Sequence, residues 1–328
     1  MKVLKSSFEI LAPLPRLTHI ERCGRTCYKS EDRITHDSSG KFVQMLLQNG
    51  HTTVLEHSSY IFDVGGTFYK EILHFIERLE EKGYLIMLRY TRDRRFIISG
   101  NVRAWIDFFD ACLAEFGFLP PFAKIEPVAK DTEKQTLFGK FYEYNFNGFS
   151  CLDEITKWDL DTVNEKMVHW DESVRFIGDR GFTHEVVRHR ISSPSQESTR
   201  YCNYGAGKFG NEISVIDICN HIQDLKVSTE DKMNLIGIWY AAMEFAEQQY
   251  MAMIELGAPA QIARSVLPQS TKAEIVITAN LREWVWIFTK RCAPAAHPQM
   301  RELMLPLLTM FQTRLPEVFL HLTTSGII

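Results

Sequence analysis

The chain has 328 residues, of which 45% are hydrophobic and 24% are charged. This composition is typical of a globular protein with a sizeable core, and it excludes a disordered chain, a fibrous repeat and a small disulfide-stapled scaffold. The formal net charge of −4 argues against binding of nucleic acid through charge alone. No apolar run approaches the roughly 20 residues of a membrane-spanning helix, so we expect no role at a membrane.

The cysteines and the N-terminus indicate the compartment. Seven cysteines are scattered through the sequence, and none of them forms a C-x-x-C pair. This spacing does not suit a structural zinc site, so we predict no metal centre and expect free thiols in a reducing environment. The N-terminal segment also lacks the long apolar stretch of a signal peptide. We therefore expect the protein in the cytoplasm.

Apolar periodicity and turn signals predict strands and helices along most of the chain. Residues 115–168 are the least regular stretch, and we interpret them as an insertion, with a flexible lid as the alternative. The helix predicted over 228–256 carries an apolar face of Leu235, Ile238, Trp239, Ala242, Phe245 and Ala246. In chain order the elements are an extended segment over 1–20, a turn and strand over 50–64, a helix over 67–82, a strand over 95–99, a helix from 101, a helix over 182–187, the helix from Ser228 to the stop at Gly257, a short helix between Pro259 and Pro268, a strand over 272–278 and a helix after Asn280.

Two segments of the sequence resemble each other. FIISGNVRAWIDFF at 96–109 and IVITANLREWVWIF at 275–288 align without gaps. Both predict a strand, an asparagine N-cap and an apolar helix, and Glu283 completes a capping box with Asn280 in the second. Chance similarity is one interpretation, and two equivalent junctions that meet in one site is the other. We favour the first, because only the second segment is followed by an arginine at position 291.

The segment RHRISSPSQESTRY, residues 188–201, carries the strongest chemical signal. Arginine forks suit phosphate and planar carbonyl groups, because two parallel N–H donors meet two acceptors. The serines around Pro194 indicate that the chain leaves the preceding helix and exposes backbone N–H groups there. Together these features predict a cradle for a phosphorylated ligand, and a solvated basic helix end is the alternative.

Arg291 is the second chemical signal. It follows Trp284, Ile287 and Phe288 at helical spacing, so it lies on the apolar face of its predicted helix. A buried arginine needs a partner, and that face carries no acid nearby in the sequence. We expect a bound ligand to supply the partner, and extension of the side chain to the helix end is the alternative.

The segment 188–201 resembles the signature of the flavin-dependent thymidylate synthases, R-H-R-x-x-S-x-N-E-x-S-x-R-Y. Ser195 and Gln196 depart from the Asn and Glu of that pattern, and the glutamine loses the charge. Three further blocks are similar to the same family in the same order. They are GHTTVLEH at 50–57, ARSVLP at 263–268, and Asn280 and Arg282 followed by Arg291.

The resemblance implies an α+β fold in which an antiparallel sheet packs with long helices. It implies a single domain over 1–328 with an insertion at 66–168 that the family motifs do not explain. The implied reaction is the reductive methylation of dUMP to dTMP, with methylenetetrahydrofolate as carbon donor, FAD as cofactor and NADPH as reductant. A homotetramer with shared sites is also implied. The role of the insertion, the subunit that contributes each residue and the physiological reductant stay open.

Site residues are carried over from the family position by position. Arg291 is the implied catalytic residue, at the uracil edge, and Trp286 replaces a family asparagine. The implied dUMP-binding residues are Glu185, Arg188, Gln196, Glu197, Ser198, Thr199, Arg200, Arg264 and Arg291. The implied FAD-binding residues are His57, Ser59, Arg188, His189, Arg190, Gln196, Asn280 and Arg282. Two other classes stay open: a non-catalytic nucleotide- or RNA-binding module, and a flavoprotein whose folate site is blocked by the insertion.

Overall fold

The computed structural model describes residues 1–117, 120, 152–323 and 326–327. Two four-stranded antiparallel sheets, in the orders β2-β7-β10-β8 and β6-β3-β5-β4, form the centre of the described fold. A parallel pair, β1 with β9, and a small antiparallel pair, β11 with β12, lie beside them. The strands are β1 (Lys2–Leu4), β2 (Ser7–Ile10), β3 (Ser59–Val64), β4 (Arg89–Arg92), β5 (Phe96–Asn101), β6 (Leu152–Ile155), β7 (Asp171–Asp179), β8 (Ser193–Gln196), β9 (Ser214–Ile216), β10 (Lys272–Asn280), β11 (Leu322–Thr323) and β12 (Gly326–Ile327).

Helices surround both sheets, so the predicted α+β class is confirmed. The longest of them, α8, starts at the N-cap Ser228 and ends before Gly257, whose φ of 92° is the left-handed conformation expected at a helix stop. The described α-helices are α1 (Arg16–Tyr28), α2 (Ser38–Gln48), α3 (Phe68–Glu81), α4 (Val102–Phe116), α5 (Val163–His169), α6 (Arg180–Val186), α7 (Cys219–Gln223), α8 (Thr229–Glu255), α9 (Ala260–Ala263), α10 (Leu281–Arg291), α11 (Pro298–Arg314) and α12 (Pro316–Phe319). None of the helices in these described ranges is long and apolar enough to cross a membrane.

Each sheet has its own hydrophobic core. Trp284 of α10 is fully buried in the core of the first sheet, and Trp105 of α4 is fully buried in the core of the second. Burying a large apolar side chain contributes about 1.5–3 kcal/mol each, so these helices are fixed on their sheets mainly by such side chains. The strand-to-helix junctions that precede α4 and α10 are thereby held rigidly.

Most of the described part of the insertion predicted at 66–168 forms strands of the second sheet or helices that pack in its core. Its strands β4, β5 and β6 assemble with β3, which precedes that range in the sequence. Much of the irregular stretch predicted at 115–168 lies outside the described residues. In its described part, Thr162 forms a capping box with Glu165 at the start of α5.

The prediction of an extended segment over residues 1–20 is wrong in its last part. The helix α1 starts at Arg16, directly after Pro15. Pro13 and Pro15 indicated extended backbone, but a proline is also well tolerated where a helix begins. The capping box predicted at Asn280 is half formed: Asn280 accepts from the backbone N–H of Glu283, whereas the Glu283 carboxylate contacts His189.

Two buried histidines link the sheets. His57, just before β3, hydrogen-bonds Thr278 and Ser195 of the first sheet at 2.7 and 2.8 Å. His169, just before β7, hydrogen-bonds Thr91 and Ser99 of the second sheet at 2.9 and 2.7 Å. Burial, together with nearby positive charge, lowers the pKa of each ring to about 3. Both rings are therefore neutral in the native protein at neutral pH.

Acid is expected to destabilise the fold through these histidines. Their folded pKa values lie below the ordinary value of 6.5, so below pH 6.5 the unfolded chain binds protons that the native state does not. The free energy of unfolding should therefore fall on acidification between pH 6.5 and about 3.5, by about 1.4 kcal/mol per pH unit for each such histidine. Urea unfolding at pH 7.5, 6 and 5 measures this slope.

The variant His169→Gln should show a shallower slope, because one of the buried histidines with a lowered pKa no longer titrates. His36→Gln is the matched control, since the side chain of His36 is 98% exposed. A free energy of unfolding that stays constant between pH 6.5 and 5 would contradict this assignment.

Candidate active site

The segment 188–201 runs from the end of α6 onto an edge strand. After Arg188, His189 and Arg190, residues 193–196 form β8 and pair with β10. Pro194 is acceptable there, because an edge strand can lack one N–H donor. The expectation of free backbone N–H groups along this segment is wrong at several positions. The N–H groups of Ser192 and Tyr201 donate to carbonyls within the segment. The N–H of Glu197 donates to the carbonyl of Glu274, and that of Ser198 donates to the carbonyl of Cys27.

Arg291 is held by residues from α6 and the segment that follows it. Its Nε donates to Nε2 of His189 at 3.0 Å, and its Nη1 donates to the Glu185 carboxylate at 2.7 Å. Its Nη2 donates to the backbone carbonyl of Glu185, also at 2.7 Å. The expectation that a ligand must supply the partner of Arg291 is therefore wrong, because Glu185 supplies it from a distant part of the sequence.

This network leaves Arg291 able to bind a ligand. A guanidinium has five N–H donors, and the three contacts described use one on each nitrogen, so both Nη atoms keep a further donor. Burial lowers the pKa of Arg291, and the Glu185 carboxylate opposes that effect, so the group stays charged at neutral pH. Because Nε2 of His189 accepts from arginine, a neutral His189 ring carries its proton on Nδ1, which faces Glu283 at 3.3 Å. The result is a positive charge in a fixed position.

A cavity of about 170 Å³ lies between the two sheets, and its wall includes Arg190, the residue that follows His189. Three of the residues assigned to FAD, Ser59, Arg190 and Asn280, line it together with Ser193. Asn101 lines the same cavity. The two similar junctions found in the sequence therefore meet in one site, which is the interpretation that we did not favour.

Asp171 forms one wall of this cavity. Its carboxylate receives two hydrogen bonds from Arg89, both 2.7 Å long, and one of 2.5 Å from Ser59. Burial disfavours the charged form, but the adjacent Arg89 and the hydrogen bonds keep the pKa of Asp171 below its ordinary value. Ser59, Asp171 and Thr278 also line a neighbouring cavity of about 370 Å³, which contains His57 in its wall.

The residues after β8 form a second group. Arg264 donates to the Thr199 hydroxyl at 3.3 Å, so two of the residues assigned to dUMP are in contact. Arg200 is exposed, and the Ser198 hydroxyl accepts from its backbone N–H. Glu197 is different, because it is buried and bonded to Lys272 at 2.6 Å and to Tyr204 at 3.3 Å. Its carboxylate stabilises the residues after β8 from the protein interior.

Three of the predicted cations are exposed and available. Within the described part of the chain, the guanidinium groups of Arg188, Arg190 and Arg282 have no hydrogen-bond or ion-pair partner. Gln196 reaches back to the Thr183 hydroxyl of α6 at 3.2 Å, which ties β8 to that helix. Trp286 is half exposed beside Lys290. Free guanidinium groups beside serine and asparagine side chains suit an anionic, hydrogen-bonding cofactor such as FAD.

His57 is a buried structural residue next to the site. It is 2% exposed, and both of its ring nitrogens are already hydrogen-bonded. One of its partners is Ser195, which stands where the family pattern has asparagine. In this chain the serine hydroxyl is hydrogen-bonded to the histidine ring. The sequence did not single out Arg89, Asp171 or Glu283 as site residues. Only Glu283 carried a local signal, as the capping partner of Asn280.

With this geometry established, the chain can be compared with known proteins. The family model described as thymidylate synthase complementing protein matches residues 14–74 and 169–317, more than half of the chain. The chain therefore belongs to this family. The two matched blocks contain nearly all of the site residues described above, whereas Arg89 and Asn101 lie between them.

Relatives with curated names cover less of the chain. A flavin-dependent thymidylate synthase of Geobacter sulfurreducens is 31% identical over 140 residues, which is 43% of this chain and 55% of that protein. The enzyme of the same name from Nitratidesulfovibrio vulgaris is 33% identical over 143 residues, 43% of this chain and 56% of that protein. The chain thus spans about half the length of the curated relatives it matches. Among solved structures, a UMP/dUMP methylase PolB from Streptomyces cacaoi bound with 5-Br dUMP matches at 24% identity and a TM-score of 0.39, over 48% of this chain and 73% of that one.

Removing Arg89 should destabilise the protein. In Arg89→Met the partly buried Asp171 carboxylate keeps only Ser59 as a partner, so we expect a loss of about 2–3 kcal/mol in the free energy of unfolding, less than for a fully buried pair. Arg92→Met, an exposed position on the same strand, should change it by less than about 0.5 kcal/mol. Chemical denaturation of both variants measures the difference, and equal effects would contradict the proposed importance of the pair.

Proposed function

We propose that this chain is a flavin-dependent thymidylate synthase, which methylates dUMP reductively to dTMP. In this proposal methylenetetrahydrofolate donates the carbon, FAD is the cofactor and NADPH is the reductant. The observation that supports it most is the charged Arg291, fixed by Glu185 and His189, together with a cavity lined by Arg190, the unpaired arginine that follows His189 in the sequence. The reducing cytoplasm, suggested by the scattered cysteines, is the proposed location.

The proposed roles follow from the contacts. Arg188, Arg190 and Arg282 would hold the phosphates of FAD, with Ser59 and Asn280 in the wall of the same cavity and Gln196 and His57 as supports. Arg200, Arg264, Ser198 and Thr199 would bind the dUMP phosphate as one group. When bound, the flavin supplies the hydride for the reduction. The cavity is smaller than the roughly 300–1,000 Å³ of a complete ligand pocket, so FAD would extend beyond it.

Arg291 would activate the base. Positive charge next to the N3–O4 edge of uracil draws electron density toward that edge and favours attack by the ring carbon without a covalent enzyme adduct. A fixed cation does this efficiently, because it does not need to reorganise during the reaction. Glu185, which holds Arg291 through both its carboxylate and its carbonyl, would orient the guanidinium and line the nucleotide.

A homotetramer with shared sites is part of the proposal, and the long helix α8 supports it. Only three of its side chains, Trp239, Met243 and Tyr250, are buried in the protomer. Leu235, Ile238 and Phe245, from the predicted apolar face, are 38%, 67% and 62% exposed. An apolar helix face of this kind fits the corresponding face of a second copy of the chain.

Flavin binding tests the proposed class. The protein as purified, or after reconstitution with FAD, should show the absorbance spectrum of an oxidised flavin. In Arg190→Ala the dissociation constant for FAD should rise by about tenfold or more, because a charge-assisted contact with a phosphate is lost. Arg33→Ala, which removes an exposed arginine elsewhere, is the control. A chain that binds dUMP but never FAD would instead be a nucleotide-binding module.

Activation of the base and binding of the nucleotide can be separated kinetically. Arg291→Lys keeps the charge but loses the fork, so kcat at saturating dUMP should fall by about 100-fold while FAD binding is retained. Arg200→Lys should mainly raise KM for dUMP, because its proposed partner is a phosphate remote from the reacting carbon. A near-normal kcat in Arg291→Lys would remove Arg291 from the catalytic role. Flavin reduction without methyl transfer in the unmodified protein would favour a flavoprotein with a blocked folate site.

A further inference from the structure

The two four-stranded sheets share the same arrangement of strands and key residues. In the second sheet Ser59 of β3 lies opposite Asn101 of β5, and in the first sheet Asp171 of β7 lies opposite Asn280 of β10. Each asparagine ends its strand and caps the next helix through its side-chain oxygen. Four residues after it, each of these helices buries a tryptophan in its core. The similarity of 96–109 to 275–288 is thus part of a larger structural repeat.

The edge strands and the buried histidines also occupy equivalent positions in the two sheets. Arg89 on β4 lies opposite the residue two before Asn101, and Ser193 on β8 lies opposite the residue two before Asn280. His57 and His169 stand two residues before β3 and β7, and each bonds to hydroxyls of the opposite sheet. The outer strands are exchanged as well, since β2 pairs with β7 and β6 pairs with β3. The described chain therefore contains two interlocked halves.

The 170 Å³ cavity lies where the halves meet. Both members of three equivalent pairs line it: Ser59 with Asp171, Arg89 with Ser193, and Asn101 with Asn280. The halves differ in their cations, however. Counted from Arg89, the first half has Tyr84, Leu85 and Ile86 at the positions of Arg188, His189 and Arg190, and it has the buried Cys112 at the position of Arg291. Arg103 stands at the position of Arg282, but it is paired with Glu56 and Asp107. The first half therefore contributes a wall to the site but, within the described residues, no unpaired cation equivalent to those of the second half.

The two asparagines use their amides differently. Asn280 is 8% exposed, and its Nδ2 donates to the carbonyl of Val168 at 3.3 Å. Asn101 is more exposed, and its Nδ2 has no hydrogen-bond partner among the residues that the structure describes. Capping of α4 needs only the side-chain oxygen of Asn101. The amide N–H₂ of Asn101 is thus a free donor in the wall of the cavity.

We propose that Asn101 is a cofactor-binding residue, which donates a hydrogen bond from the first half of the chain to an oxygen acceptor of FAD. The proposal rests on the proposed function, because it takes the occupant of the cavity to be part of the flavin cofactor. It adds a residue from the segment between the two blocks that match the family. It also gives that segment a role, which is to complete the wall opposite Arg190 and Asn280.

Two substitutions separate binding from helix capping. Asn101→Ser keeps an N-cap oxygen and removes the amide donor, whereas Asn101→Ala removes both. With the full-length apoprotein and FAD as the probe, quenching of flavin fluorescence gives the dissociation constant. Thermal unfolding without FAD gives the melting temperature. Asn220→Ser, an exposed asparagine in α7, is the matched control and should resemble the unmodified protein.

We expect Asn101→Ser to retain the melting temperature within about 1 °C and to bind FAD about fivefold more weakly, the effect of one lost hydrogen bond. Asn101→Ala should bind as weakly and also melt lower. If Asn101→Ser binds FAD within twofold of the unmodified chain, the proposal is overturned. It is also overturned if, in both variants, FAD affinity falls only in proportion to the melting temperature, because the loss would then come from the weakened helix cap. If the unmodified chain does not bind FAD, the proposed function fails as well, whereas normal binding by both variants overturns this inference alone.

Discussion

The ion pair between Asp171 and Arg89 is the interaction on which the site depends most. The Asp171 carboxylate stands at the start of β7 in one sheet and receives hydrogen bonds from Ser59 and Arg89 of the other sheet. Removing a carboxylate from water costs several kcal/mol, and this cost is offset only because its oxygens meet a guanidinium fork and a hydroxyl. Ser59 and Asp171 lie opposite the asparagines that line the cavity, so these hydrogen bonds hold its opposite walls together.

The buried histidines complete that constraint. A neutral imidazole has one donor and one acceptor, so it can join two hydroxyl groups without burying a charge. His57 and His169 each do so across the boundary between the sheets, and burial keeps their pKa values near 3. The family position of His57 suggested a residue at the flavin. In this chain both of its ring nitrogens are hydrogen-bonded to hydroxyl groups of the first sheet, so they are not available to a ligand. The guanidinium groups of Arg188, Arg190 and Arg282 have no partner within the described residues.

The sequence predicted the elements whose signals are local. The helix expected over 67–82 is Phe68–Glu81, and the N-caps Ser228 and Asn280 start their helices as expected, because caps and periodicity depend on near neighbours. The partner of Arg291 was missed, because Glu185 lies 106 residues earlier and only the packing of α6 and α10 on the same sheet brings them together. The serine-rich segment was expected as an open loop for the same reason, since its strand partner β10 is remote in the sequence.

The repeat explains why such a chain needs only one set of cations. The residues shared by the halves, the capping asparagine and the buried tryptophan, stabilise helices and cores, so either half requires them in order to fold. Arg188, Arg190 and Arg282 have exposed guanidinium groups without a hydrogen-bond or ion-pair partner among the described residues. The first half has Tyr84 and Ile86 at the positions of Arg188 and Arg190, whereas Arg103, at the position of Arg282, is paired with Glu56 and Asp107. Capping alone would be satisfied at Asn101 by serine or aspartate. The amide N–H₂ of Asn101, a residue of the cavity wall, is the part of this side chain that folding does not require, and ligand binding is the use that the geometry leaves for it.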